Sequence, residues 1–585
     1  AFTGSNATAV GSGAADALTG ASSPSGANTV AIGHNALGVA VNQSDCTAVG
    51  AAALDAATSG NENTAVGSYA LSTTIDGSQN TAVGYGALNA DCVADNTAVG
   101  KSALNAYTGS EATAVGSGAA DVAGSQSNLT AVGKNALGVA TSGNDNTAVG
   151  HSALQTVDGY SNTAVGSAAL FADCVGDNTA VGKSALQSFT GSNATAVGSG
   201  AADAATSAPY TTAVGRSALS ALTTGTGNTA VGAYSLYTNL TGGEYNTAVG
   251  HAAGQDIYGD QNTIMGRYAG LYASDVDHCV AIGSSALAGA APFTDATCDT
   301  GSNTTVACDS SSTIAVGQYV TGSGIPAGTT VSAVNSAGSV TSFTISAAAT
   351  TSLTNTTLTF WRNTGDYNIA IGSYALDGTT TGASNIAVGY AAGGAMTTGS
   401  FNVLIGDYAG DALDTTYYNV AIGYKALSTD TSSNSNVAIG YQALEDQNVA
   451  SANNTAVGYQ AALNLTNGKE SVYMGYQAGG VGVITGSNNT VLGHKAALNA
   501  VGMSSSVFIG EASGGLGVVA GADNTCVGRS TGYSLTSGAS NVLIGRAAGK
   551  FLTDGANNIA IGHGALDAAN LGENFNTAIG TNALG

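Results

Sequence analysis

The side chains able to do chemistry are few, and they recur at fixed places. Five histidines, His34, His151, His251, His494 and His563, each follow directly on a glycine, where other copies carry Lys101, Lys134, Lys183, Arg216, Arg267, Arg529 or Arg546. Scattered along the chain, they do not converge as metal ligands must. Tyr424, Tyr441, Tyr459 and Tyr476 hold that same place in four successive copies, a row suited either to mutual stacking or to contact with sugar rings. Asp260 and Asp277 fall at equivalent loop positions with Asp275 beside them. Calcium favours such oxygen clusters, but the Gly-Gly-x-Gly-x-Asp repeat of calcium-loaded β-rolls is absent, and solvated carboxylates are the better reading. Cys92 and Cys174 are equivalents, as are Cys46 and Cys279, which leaves Cys298 and Cys308 as the pair expected to oxidise. Neither paired carboxylates with a nearby basic residue nor a Ser or Cys with a His base converge convincingly in the sequence. The glycine-rich stretches lack the Lys-Ser/Thr ending of a phosphate loop. No catalytic residue, metal or cofactor is assigned, and an enzyme is not expected.

What carries these side chains is a tandem repeat, Asn-Thr-Ala-Val-Gly-x-x-Ala-Leu, present in about 30 copies. With the Gly as position zero, Gly50, Gly67, Gly84, Gly100 and Gly116 give a period of 16 to 18 residues, as do Gly372, Gly389, Gly406, Gly423 and Gly440. That is too short for helix-pair repeats or propeller blades and matches one turn of a β-solenoid. Positions −3 and −1, as in Thr64 and Val66 or Ile369 and Ile371, are β-branched and form one apolar face. Position −2 is usually Ala but also Ile264, Leu404, Tyr473, Val491, Phe508 or Leu543, so the opposite face is apolar too, and burial on both faces is expected. The Gly permits a corner. A near-constant Ala at +3 implies two backbones packed close together.

The Asn at −4, namely Asn63, Asn80, Asn96, Asn146, Asn162, Asn178, Asn385, Asn402 and Asn419, would lie about 4.8 Å from its equivalent in the next rung. Stacked amides form ladders, so a structural role is expected.

These residues resemble the head repeats of trimeric autotransporter adhesins: Asn368-Ile369-Ala370-Ile371-Gly372-Ser373-Tyr374-Ala375 follows the pattern Asn-Ser-Val-Ala-Ile-Gly-x-x-Ala. Asn-Thr-Ala-Val-Gly repeats are also similar to those of phage and algal-virus fibres. The resemblance implies a parallel β-roll, a homotrimer with Val/Ile facing a threefold axis, and a place outside the cell or on a cell or virion surface.

Composition narrows the alternatives. Of 585 residues 85 are Gly but only 4 are Pro, which excludes collagen, and charged residues are 8% against 44% hydrophobic, which argues against disorder. A net charge of −24 with no basic cluster excludes tracking along nucleic acid, and no apolar stretch is long enough to span a membrane. Between Gly283 and Gly372 the rhythm stops, with turns such as Gly322-Ser323-Gly324 and alternation in Ser342-Phe343-Thr344-Ile345. The expected fold is all-β: a parallel β-solenoid or β-roll over 1–289 and 363–585, with a small β-sandwich inserted at 290–362.

The ends also match each other. Leu584-Gly585-Ala1-Phe2-Thr3-Gly4-Ser5 reads like Leu104-Asn105-Ala106-Tyr107-Thr108-Gly109-Ser110, and Gly580 to Gly11 across such a join is 16 residues. Ala1, Phe2, Leu584 and Gly585 are therefore the expected axial junction. The function expected from all this is an extracellular structural fibre that stacks or continues head to tail. An adhesin or tail-fibre shaft, with its Tyr row or insertion contacting a glycan, is the alternative.

Overall fold

The computed structural model describes residues 6–16, 28–39, 41, 43–140, 142–238, 242–289, 293–311, 314, 318–326, 329–335, 340–361, 365–379, 381–447, 452–480, 482–515, 517–568 and 574–585. Among them there is strand and turn but no helix, and so no helix long and apolar enough to cross a membrane. The chain is a parallel β-solenoid of about thirty turns that divides into two compact units, Ala1–Tyr258 and Gly259–Gly585.

In the first unit, fifteen three-residue strands run from Thr8–Val10 to Thr247–Val249. Each pairs in parallel with the next without slipping, as in Thr64↔Thr81, Ala65↔Ala82 and Val66↔Val83. Backbone bonds leave every rung in both directions. Thr64 N–H donates to Asn80 O at 2.8 Å, while Gly67 N–H donates back to Val49 O at 2.7 Å.

The turns that flank each strand are unusual in backbone terms. Glu62, Tyr69 and Leu71, at −5, +2 and +4, have φ of 60°, 60° and 50°, the left-handed region. Gly67 itself has φ 138°, and a Cβ there would lie 2.3 Å from Gly84 O in the next rung, so the corner admits only glycine.

Packing is asymmetric across the strand. Ala65 at −2, and Ala70 and Leu71 at +3 and +4, are fully buried and fill the inside of the rung. The −3 and −1 side chains point out, and Val66, Val83 and Val99 each keep 37% of their surface exposed. Within the chain the strand is thus buried on one face, and among the described residues no second layer covers the outer one.

The second unit repeats the plan with fifteen strands, from Thr263–Met265 to Thr577–Ile579, and larger residues inside. Wherever −2 outgrows Ala, position +4 shrinks: Leu404 with Gly410, Tyr473 with Gly479, Val491 with Ala497, Phe508 with Gly514, Cys526 with Gly532, Leu543 with Gly549. The two positions share one space. A Cβ on Gly479 would lie 2.7 Å from Tyr473 Cδ1, and one on Gly514 would lie 2.7 Å from Phe508 Cε1. The space is also shared between rungs: Ala387 and Gly393 are both small, and a Cβ on Gly393 would lie 2.7 Å from Leu404 Cδ1 of the next rung.

The insertion lies between two paired rungs, since Val280–Ile282 pairs directly with Ile369–Ile371. Its strands Phe293–Thr300, Thr305–Ser311, Tyr319–Gly322, Val331–Val334, Val340–Ile345 and Leu353–Trp361 form one antiparallel sheet. The two edge strands of that sheet are joined as well, by Val320 N–H to Thr329 O and Val331 N–H to Gln318 O, both 2.8 Å. The sheet wraps a single core that includes Val306, Val320, Phe343, Leu358 and Phe360.

Candidate functional site

The Asn column lies inside the solenoid. Asn63, Asn80, Asn96, Asn146, Asn162, Asn178, Asn385, Asn402 and Asn419 are all fully buried. Most of these amides work in two directions: Asn63 Oδ1 accepts the backbone N–H of Asn80 at 2.9 Å, and Asn63 Nδ2 donates to Gly77 O at 2.7 Å, whereas Asn162 Nδ2 is buried with no partner among the described residues. Direct amide-to-amide bonds occur at some steps, such as Asn96 Nδ2 to Asn80 Oδ1 at 2.9 Å and Asn402 Nδ2 to Asn385 Oδ1 at 3.1 Å. Most of the work is side chain to backbone, which satisfies groups at the corner that would otherwise be buried unpaired. No amide of this column is left for a ligand in solvent.

Substitutes in the column keep parts of this chemistry. Cys279 Sγ accepts Asn368 N–H at 3.2 Å and donates to Gly365 O at 3.4 Å, the same two tasks. Burial pushes the Cys279 thiol up to about 12 and the Cys46 thiol up to about 11, so both stay protonated and inert. Ser471 Oγ accepts the N–H of Asn489 at 3.0 Å.

The Tyr column lies on the surface of the second unit. Successive rings from Tyr424 through Tyr441 and Tyr459 to Tyr476 stack at 5.1 to 5.2 Å with interplanar angles of 6° to 17°, and His494 extends the stack at 5.2 Å. Beside them Gln477 Nε2 donates to Gln460 Oε1 and Gln460 Nε2 to Gln442 Oε1, both at 2.9 Å. Because the rings face one another, their faces are largely covered, and what reaches solvent is edge and hydroxyl. In the preceding rungs Tyr374 and Tyr408 at +2 meet Tyr390 at +1 edge to face, at 5.7 and 5.3 Å.

The acidic loop is bonded across rungs. Asp277 Oδ1 accepts Asp260 N–H at 2.6 Å, and Asp366 Oδ1 accepts Asp277 N–H at 3.0 Å. Burial first, and then the charges of Asp277, Asp366 and Asp260, raise the Asp275 carboxyl above the usual range. Among the described residues no group of three or more His, Cys, Asp or Glu is placed to hold a metal ion. Two surface clefts of about 300 and 350 Å³, lined by Asp76, Asp91 and Cys92 and by Asp158, Asp173 and Cys174, are copies of each other 82 residues apart. Their carboxylates are engaged locally: Asp76 accepts from Ser59 Oγ at 2.6 Å, and Asp91 accepts Ile75 N–H at 2.8 Å.

Cys298 and Cys308 are free thiols. Their strands pair as Asp299↔Ala307 and Thr300↔Val306, a register that sets the two cysteines opposite each other. Cys298 is in the core of the insertion and Cys308 packs against it. Of the axial junction, Ala1 and Phe2 lie outside the described residues, and Leu584 is 60% exposed.

A further surface is the outer strand face, which the chain itself leaves partly exposed. In the first unit fourteen of fifteen strands read Thr-Ala-Val, so Thr and Val form two outward columns. In the second, six consecutive strands, Val280–Ile282, Ile369–Ile371, Ile386–Val388, Val403–Ile405, Val420–Ile422 and Val437–Ile439, carry only Val and Ile outward. No family model, curated protein or solved structure matches the chain.

Proposed function

We propose that this protein is a structural fibre component that associates with further copies of itself and acts outside the cell or on a cell or virion surface. The observation that carries the reading is the run of six all-aliphatic outward strands from Val280 to Ile439, a two-column stripe that nothing in the described residues covers. Parallel sheets are normally covered on both faces. Here a second and third copy supply the missing layer, which agrees with the homotrimer implied by the adhesin-like repeats. The uniform rung-to-rung bonding supports axial growth by the same register, whether from stacked copies or from a longer chain. The net charge of −24 opposes unspecific clumping.

The glycan-binding alternative has less support from the Tyr column, since stacked rings offer edges where sugars need faces. Electron cryo-microscopy of native material tests the reading. Rods joined side to side along the Val/Ile stripe, with rung spacing continuing axially, are expected; single rods ending in a separate domain would move the assignment to an adhesin or tail-fibre shaft.

A further inference from the structure

We propose that the outward Thr/Val face of the first unit binds ice. Thirteen strands, from Thr47–Val49 to Thr247–Val249, pair without slip, so their Thr and Val side chains stand in two unbroken columns. The mesh they form repeats at about 4.8 Å between rungs and about 6.7 Å along each strand. A sheet braced by side-chain ladders resists the usual twist, and here buried Asn at −4 braces eight of the thirteen rungs, the column being interrupted by Cys46, Ala112, Leu129, Ala194 and Thr211. The columns hold no charged residue; the charges sit at the corners, as Glu62 and Asp95 at −5 and Lys101 and Lys134 at +1.

The chemistry of the columns favours water over a protein partner. The hydroxyls of Thr64, Thr81, Thr97 and Thr113 make no hydrogen bond to the described residues, and their side chains are partly or well exposed. Burying such a column against an apolar layer would leave each hydroxyl desolvated and unpaired, which is unfavourable. The second unit shows that the fold accepts Val or Ile at this place, so the hydroxyl is not needed for folding. Methyl groups of Thr and Val cannot bond water, so the first water layer must complete its bonds within itself, while the hydroxyls anchor it at regular intervals. The rectangular mesh is close to that of the prism faces of hexagonal ice, and thirteen rungs acting together make adsorption effectively permanent through multivalency.

The test is thermal hysteresis and ice-crystal shaping by the full chain, compared with Thr113→Tyr/Thr147→Tyr in the middle of the face and, as control, with Ile559→Tyr, an exposed position of the second unit outside both the Thr/Val face and the Val/Ile stripe. The expected result is a measurable freezing gap with faceted crystals, lost at least fivefold in the Tyr pair and retained in the control, with circular dichroism unchanged. Thr113→Ser/Thr147→Ser, which removes only methyls, serves if the Tyr pair misfolds and should lower the gap at least twofold. No freezing gap at any concentration, or a gap unaffected by the paired substitutions, overturns the proposal. So does protection of Val99 and Val115 by a second copy in solution.

Discussion

The two units use one backbone plan for two different surfaces. The first is uniform: Ala at −2 in every rung, and Thr and Val outward in fourteen of fifteen. The second varies inside, where Leu404, Tyr473, Phe508 or Leu543 take over from Ala, and is more aliphatic outside, with Ile at −1 in nine of fifteen strands. The difference teaches which constraints belong to the fold. Register, the corner glycine and a filled interior are common to both units, and a buried amide at −4 recurs in both. The identity of the outward pair is free, and so it is available for function.

The comparison can be broken most forcefully from inside. Leu543→Ala should destabilise its rung by about 2 to 5 kcal/mol, because the Leu fills space that Gly549 leaves open. Adding Gly549→Leu should restore most of the loss, since Leu71 at the matching place of the first unit tolerates the same left-handed backbone, with φ 50°. The mirror experiment, Ala65→Leu, should be rescued by Leu71→Gly. Solenoid rungs unfold locally, so hydrogen exchange is the readout. Failure of either rescue would show that the volumes are not shared.

A smaller effect is expected in the amide column, and it should be equal in both units. Asn80→Ala and Asn541→Ala each strand a backbone N–H and a backbone carbonyl in the interior, as their bonds to Asn96 and Gly555 show. Each should cost about 2 to 3 kcal/mol by thermal or chemical denaturation. Serine should cost about half as much, because Ser471 and Ser506 already accept the next N–H at 3.0 and 3.1 Å.

Outside, the units should part company. Ile405→Arg with Ile422→Arg should weaken self-association at least tenfold by sedimentation, whereas Val99→Arg with Val115→Arg should leave it nearly unchanged. Equal effects would erase the proposed division between the faces.

The smallest effect is electrostatic. Burial raises the Asp256 carboxyl to about 6, although it accepts a bond from Thr238 Oγ1 at 2.7 Å. A carboxyl that is easier to protonate when folded contributes stability below its unfolded value near 4, and this is lost as pH rises through 6. Melting temperature at pH 5 should therefore exceed that at pH 7, and Asp256→Asn should flatten the difference by about 1 kcal/mol.

Much of the fold was legible because the signal repeats. A period of 16 to 18 residues, a β-branched pair flanking a small residue and a fixed glycine allow few structures besides a parallel solenoid. The exchange between Leu404 and Gly410, or Tyr473 and Gly479, was also present in the sequence, but only the structure brings −2 and +4 into one space. The outer face was legible only as apolar, because such patterning reports that a strand wants cover and is silent on whether the same chain or a further copy provides it. The Tyr row was visible as a row, while the angle between rings, which decides how much face remains exposed, depends on packing. The expectation for Cys298 and Cys308 rested on elimination among seven cysteines; their cross-strand placement follows from a hairpin register that spacing alone does not fix.

The most direct test of the account is hydroxyl-radical footprinting of the full chain across a concentration series. Ile371, Ile405, Ile422 and Ile439 should become protected as copies associate, while Val66, Val99, Val115 and Val181 stay reactive. Protection that spreads equally over both sets, or that appears on neither, would contradict the claim that one face meets further copies and the other meets water.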